Sequence, residues 1–215
     1  MIMPGLKQPQ PSGSDGMILP EEFLRRINAL EAAYLIHTDP ILQSGFGGGE
    51  ERWKSEREPI LEAVSLDGDF LDIGCANGYL LECLIKWSLE RGITLSPYGL
   101  DIGPRLIELA RKRFPQFKDH FFVGNAWNWI PPRKFKYVYT LDDCIPEKIL
   151  EEYIKRLLHF VVEQGGTLIV GAYGSVSENR PASNLAEFLD DMGFPISGSV
   201  SAGELPTARF AWIKT

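Results

Sequence analysis

The 215-residue chain carries 22 Lys and Arg against 29 Asp and Glu, a net charge of −7, and 44% of it is hydrophobic. That length and apolar content fit one globular domain with its own core, and the acidic balance argues against a duplex nucleic-acid binder, which needs a basic face to neutralise phosphates. Three cysteines, Cys75, Cys83 and Cys144, are too few and too unpatterned for a disulfide framework or a zinc site, so reduced thiols, a cytoplasmic setting and no metal are expected. Met1 to Gly16 has no signal pattern and no apolar run approaches the ~20 residues that span a bilayer, so neither secretion nor membrane insertion is expected.

In chain order, residues 1–18 are rich in Pro, Gly, Ser and Gln and read as a disordered tail. Residues 19–64 read as a helical lid. Pro20 opens a helix with Phe23, Ile27, Leu30 and Tyr34 at helical spacing, ending near Thr38 before Pro40. Gly45 to Gly49 reads as a hinge or mobile loop, and Glu50 to Val64 as helical, with Pro59 kinking it or starting a second helix. Residues 65–215 alternate short apolar runs with amphipathic stretches, the pattern of a parallel sheet wrapped by helices. Strands are expected at Phe70 to Ile73, Tyr98 to Asp101, His120 to Val123, Tyr137 to Thr140 and Thr167 to Ala172. The apolar stripe of Glu147 to Glu163 predicts a core helix, and a last helix covers Asn184 to Met192, closed by Gly193. Ile196 to Ser201 and Ala208 to Lys214, joined by a turn at Gly203 to Pro206, form a C-terminal antiparallel hairpin. The fold class is therefore α/β: an open, doubly wound, mostly parallel seven-stranded sheet of Rossmann type with that hairpin and an N-terminal helical lid.

Phe70 to Leu80 runs from a strand through a small-residue turn, Gly74-Cys75-Ala76-Asn77-Gly78, into a helix. Such a turn offers a ligand free N–H groups and a helix N-terminus, and small residues at 74, 76 and 78 let it approach. Glycines also serve tight turns for steric reasons alone. A second element adds weight: Asp101 ends the next strand 23 residues after Gly78, close to the ~20-residue spacing at which a carboxylate reaches nucleoside ribose hydroxyls. The same carboxylate would also serve as a cap for the helix beginning near Pro104.

Asp72-Ile73-Gly74-Cys75-Ala76-Asn77-Gly78 resembles the first motif of class I S-adenosylmethionine-dependent methyltransferases, with Ala76 in place of the commoner glycine. The resemblance covers about residues 65 to 215. It implies S-adenosyl-L-methionine as cofactor, with Asp101 on both ribose hydroxyls and Ile102 beside it. It also implies Asn125, Ala126 and Trp127 near the adenine, where Asn125 replaces the family's acid but keeps an acceptor oxygen. Thr140 completes the cofactor side. Acceptor-side residues follow the fourth strand, which points to Asp142 as a base and Asp143 as a substrate contact; strand-end acids also serve as helix caps, and Asp143 would cap the helix beginning near Pro146. Phe46 and Trp53, flanking the glycines, read as a lid over the cofactor mouth, with Tyr173 on the substrate side and His37 as a second catalytic candidate.

The acidic charge and the lack of a nucleic-acid module favour a small-molecule acceptor. An RNA or protein methyltransferase would need Arg111-Lys112-Arg113 or Arg133-Lys134 with Lys136 at the cofactor mouth, whereas both clusters read as solvated faces. A nicotinamide-dependent oxidoreductase would need its last two glycines one residue further apart. The chain lacks the Pro-Pro-Tyr-like motif of adenine and glutamine amino methylation, the Pro-Cys order of cytosine-ring enzymes and the Asp-Asn pair of metal-dependent catechol enzymes.

Overall fold

The apolar runs assemble side by side into one sheet. The computed structural model describes residues 19–203 and 205–215, and the tail over residues 1–18 lies outside them. Among the described residues the strands are β1 Gly68–Ile73, β2 Leu95–Asp101, β3 Phe121–Val123, β4 Phe135–Leu141, β5 Val162–Tyr173, β6 Gly198–Ala202 and β7 Ala208–Lys214. They lie in the order β3-β2-β1-β4-β5-β7-β6. The first five are mutually parallel, and β7 runs antiparallel to both β5 and β6, as the expected hairpin requires.

The helices are α1 Glu21–Tyr34, α2 Gly49–Arg57, α3 Tyr79–Glu90, α4 Pro104–Arg113, α5 Leu150–Arg156 and α6 Leu185–Asp191. Strand alternation splits the core into two layers. Phe70, Tyr137 and Ile169 face α3 and α4 through Leu84 and Ile107, while Leu71, Val138, Leu168 and Val170 face α5 and α6 through Tyr153, Ile154 and Leu189. The strand order reverses between β1 and β4, so the crossovers leave on opposite faces and a crevice opens at the carboxyl ends of these strands. No helix of the described residues is long and apolar enough to cross a membrane.

Two local expectations are corrected. The helix expected over Glu147 to Glu163 is divided into a 3-10 turn Glu147–Ile149, α5 and a π turn Leu157–Val161, after which Val162 already pairs with Phe135 in the sheet. The β-branched Val162 favours the extended backbone it takes there. α1 stops at Tyr34 rather than near Thr38, because Asp39 Oδ1 accepts the N–H groups of Ile41 and Leu42 and starts a separate turn. In the glycine cluster, Gly45 has a fixed place. Gly45 closes the turn Leu42–Ser44 at φ 81°, and a Cβ there would lie 2.5 Å from the Tyr34 hydroxyl. Of the two options for Pro59, the second holds: α2 ends at Arg57 and a 3-10 segment Glu58–Ala63 follows, with the proline in its first turn.

Candidate functional site

The carboxyl ends of β1 to β4 open onto a cavity of about 430 Å³. Ile73, Gly74 and Ala76 come from the turn after β1, and Leu100, Asp101, Ile102 and Gly103 from the end of β2. Gly124, Asn125 and Ala126 follow β3; Leu141, Asp143 and Cys144 follow β4. α1 forms the facing wall with Arg26, Ile27, Leu30, Glu31 and Tyr34.

The turn is held by its own backbone. Gly74 and Cys75 N–H both donate to the Leu100 carbonyl, at 2.7 and 3.1 Å. Gly74 has φ 92° and Ala76 φ 44°, and a non-glycine residue in that left-handed region carries strain. Ala76 is kept there by donating its N–H to Asp101 Oδ2 at 2.8 Å, while Asp101 Oδ1 accepts from Gly103 N–H at 2.7 Å. Asp101 thereby ties the turn to the start of α4. Each of its oxygens keeps a second lone pair, and burial raises its pKa against the opposing pull of these backbone donors.

Asp72 is 2% exposed and its Oδ2 has no hydrogen-bond partner. Burial, with the charge of Asp101 second, pushes its carboxyl up to about 8. The two cysteines near the turn stay neutral thiols, Cys144 pushed up to about 12 mainly by burial and Cys75 raised likewise, so neither is an activated nucleophile.

A second cavity of about 580 Å³ adjoins the first, the two sharing Arg26 and Asp143. Phe23 and Phe188 give it apolar walls, and Asp142 enters from the loop after β4. Asp142 Oδ2 accepts from Ser183 Oγ at 3.0 Å. Burial lifts its pKa to about 6 despite that hydrogen bond.

Of the residues singled out from sequence, Gly74, Ala76, Asp101, Ile102, Asn125, Ala126 and Asp143 line the first cavity, and Asp142 and Asp143 the second. The others do other work. Asn77 is fully buried, donating to Pro40 O and Gln43 Oε1 and accepting from Tyr79 N–H, so it fastens the N-terminal segment to α3. A Cβ on Gly78 would meet Ala110 Cβ at 3.1 Å and Phe114 at 3.3 Å; its small size serves the packing of α3 on α4, and it is not among the residues lining the cavity. Cys75 packs its sulfur where a Cβ on Gly99 would sit. Thr140 is buried against Tyr153, hydroxyl to hydroxyl at 3.0 Å. Trp127 N–H donates to Asn125 Oδ1 at 2.9 Å, giving Asn125 a turn role beside its place in the cavity.

His37 is exposed and reaches neither cavity. Phe46 and Trp53 are buried at 9% and 3% exposure, and with Tyr173 they surround the Arg57 guanidinium at 4.2, 4.5 and 4.2 Å from its carbon. Cation–π attraction thus draws these aromatics inward, and the element over the cavity is α1 instead. Its apolar stripe was the signal for that role, although periodicity alone does not say what a helix faces. Both basic clusters lie off the cavity: Arg111 and Arg113 engage Glu108 and Glu82, and Arg133 pairs with Asp69.

No protein-family model and no curated sequence matches the chain. Solved structures do. The N-methyltransferase NodS from Bradyrhizobium japonicum WM9, in complex with S-adenosyl-L-homocysteine, superposes with a TM-score of 0.65 at 14% identity over 88% of this chain and 97% of its own. A DhpI-SAM-HEP complex gives 0.60 at 17% identity over 93% and 99%. The glycopeptide N-methyltransferase MtfA gives 0.57 at 12% identity over 77% and 90%. The chain has the class I S-adenosylmethionine-dependent methyltransferase fold.

Proposed function

We propose that the chain transfers a methyl group from S-adenosyl-L-methionine to a small-molecule acceptor. The observation that carries this reading is the convergence of the turn after β1, Asp101 and Asn125 on one cavity, in a fold shared with solved methyltransferases. Its volume lies in the range of small-molecule sites. Asp101 offers its free lone pairs to ribose hydroxyls, and Asn125 its remaining acceptor capacity to an adenine amino group. The uncapped buried oxygen of Asp72 fits a polar cofactor end beside β1. When bound, the cofactor supplies an electrophilic methyl whose carbon passes to the acceptor while the C–S electron pair returns to sulfur.

The protein's own task is alignment and exclusion of water. α1 walls the first cavity, and the adjoining second cavity is the acceptor space, bounded by Phe23, Phe188 and Asp143. Asp142, lining that space and ionised above pH about 6, is the base for an acceptor that gives up a proton. The neighbour named for a glycopeptide acceptor agrees with an acceptor other than a nucleic acid. The free cysteines suit a cytoplasmic setting.

The direct test is Asp101→Ala. One carboxylate accepting two hydroxyls makes charge-assisted bonds, so S-adenosylhomocysteine affinity should fall at least about tenfold by calorimetric titration, with Asp101→Asn losing less. Unchanged affinity in a destabilised Asp101→Ala protein leaves only the structural tie and rejects the reading. Asp142→Asn should lower kcat by roughly a hundredfold with little effect on cofactor affinity, and remove the rise in rate with pH centred near 6. A profile that keeps that limb assigns the base elsewhere.

A further inference from the structure

α1 is an unusual wall. None of its residues is buried, yet Ile27, Leu30, Glu31 and Tyr34, spaced along one helical face, turn into the first cavity. Phe23 and Leu24, in its first turn, are only partly buried against the core, and a helix anchored so lightly belongs to the low-stability end of a structure unless something fastens its other end. Glu31 does so. Its side chain is 14% exposed, Oε1 accepts Arg105 N–H at 2.8 Å, and Oε2 accepts Arg105 Nε and Nη2 at 3.2 Å each.

Arg105 is the second residue of α4, whose N-cap, Gly103, has no side chain with which to cap. The carboxylate that satisfies this helix end therefore comes from another helix, favoured by the positive end of the α4 dipole. Asp101 holds Gly103 N–H in the same turn. Glu31 and Asp101 thus grip adjacent N–H groups of one helix start, from the cavity wall and from the cavity floor.

We propose that Glu31 is a positioning residue, a latch that fastens α1 across the cofactor cavity onto the N-terminus of α4, so that ligand release waits on its opening. The assignment of the enclosed ligand rests on the function proposed above; the latch itself is readable without any ligand. Closure excludes water from the methyl-transfer site and sets the lifetime of the bound cofactor.

The test uses the full chain and two readouts. In ligand-free Glu31→Ala, amide hydrogen exchange over residues 21–34 should accelerate at least about tenfold while β1, β4 and β5 keep wild-type protection. S-adenosylhomocysteine should dissociate at least about tenfold faster, with a smaller change in association. Glu31→Gln, which keeps an acceptor for Arg105 N–H, should recover part of both effects, and Arg105→Ala should fall between. Unchanged α1 exchange in Glu31→Ala overturns the latch, as does acceleration spread uniformly over the sheet, which marks a general stability role. A loosened α1 with unaltered dissociation overturns its control of release. Should wild-type chain fail to bind S-adenosylhomocysteine, the cofactor reading falls, and the ligand-free exchange still decides whether Glu31 fastens α1.

Discussion

Gly78→Val should cost the chain about 3 kcal/mol or more of stability, a structural loss that comes before any effect on cofactor binding. Gly78 is the N-cap of α3 at φ 75°, a conformation that costs an L-residue roughly 1–2 kcal/mol and a β-branched one more. Its new Cβ would lie 3.1 Å from Ala110 Cβ and 3.4 Å from Ala110 Cα, and Ala110 is fully buried. Overpacking at such a contact adds roughly 1–3 kcal/mol. Urea denaturation of wild type, Gly78→Ala and Gly78→Val should give a graded loss, with the Ala variant bearing the backbone strain and most of the contact, and the Val variant the added methyl groups. A Gly78→Val protein of wild-type stability that no longer binds S-adenosylhomocysteine would restore the idea that this glycine is small for the ligand.

The contrast between Gly78 and Gly74 marks how far sequence reading goes. Both occupy the same small-residue motif and both take positive φ, yet Gly74 lines the cavity and Gly78 fills the α3–α4 contact. Nothing in a one-dimensional pattern separates those environments. Asp101 was legible because an acid at a strand end, at a fixed distance from a turn, is a local pattern. Strand existence was legible for the same reason, since Leu168, Ile169 and Val170 are apolar on both faces and all fully buried, as an interior strand covered on both faces requires. Strand boundaries were less so: β2 begins at Leu95 and runs through Pro97, a residue that normally argues against a strand interior. Phe46 and Trp53 misled because aromatics around glycines suit a lid equally well. Their true partner, Arg57, stands one helical turn after Trp53, and its choice of an aromatic surround over solvent is a tertiary fact. Glu31 gave no signal at all, because its partner lies 74 residues away.

Asp72 should make the protein lose stability steadily as pH rises, and Asp72→Asn should abolish that loss. Its carboxyl is buried with one oxygen unpartnered and sits in the field of Asp101, so its pKa in the folded chain is about 8 against an ordinary value of 3.8. Between those two values the folded state holds a proton that the unfolded state has released. Fewer protons bound to the unfolded chain means that unfolding free energy falls with pH, by up to ~1.4 kcal/mol per pH unit. The contribution is complete below about pH 4 and exhausted above about 8, amounting to on the order of 5 kcal/mol. Asparagine keeps the shape and never ionises. Wild type and Asp72→Asn should therefore agree within about 1 kcal/mol at pH 4 and diverge progressively to pH 9, the variant being the more stable. Asp101, also raised by burial, is present in both chains, so its own burial cost cancels and the difference between the two denaturation curves reports Asp72 together with its coupling to Asp101. Parallel curves across that range would show that Asp72 ionises as an ordinary carboxyl and carries no such cost. A group this costly at a strand end, beside the strained Ala76 turn, is the kind of local violation that folds retain for function. The stabilised Asp72→Asn chain should accordingly bind S-adenosylhomocysteine several-fold more weakly, a trade of affinity for stability, and equal affinity in the stabilised variant would remove Asp72 from the cofactor site.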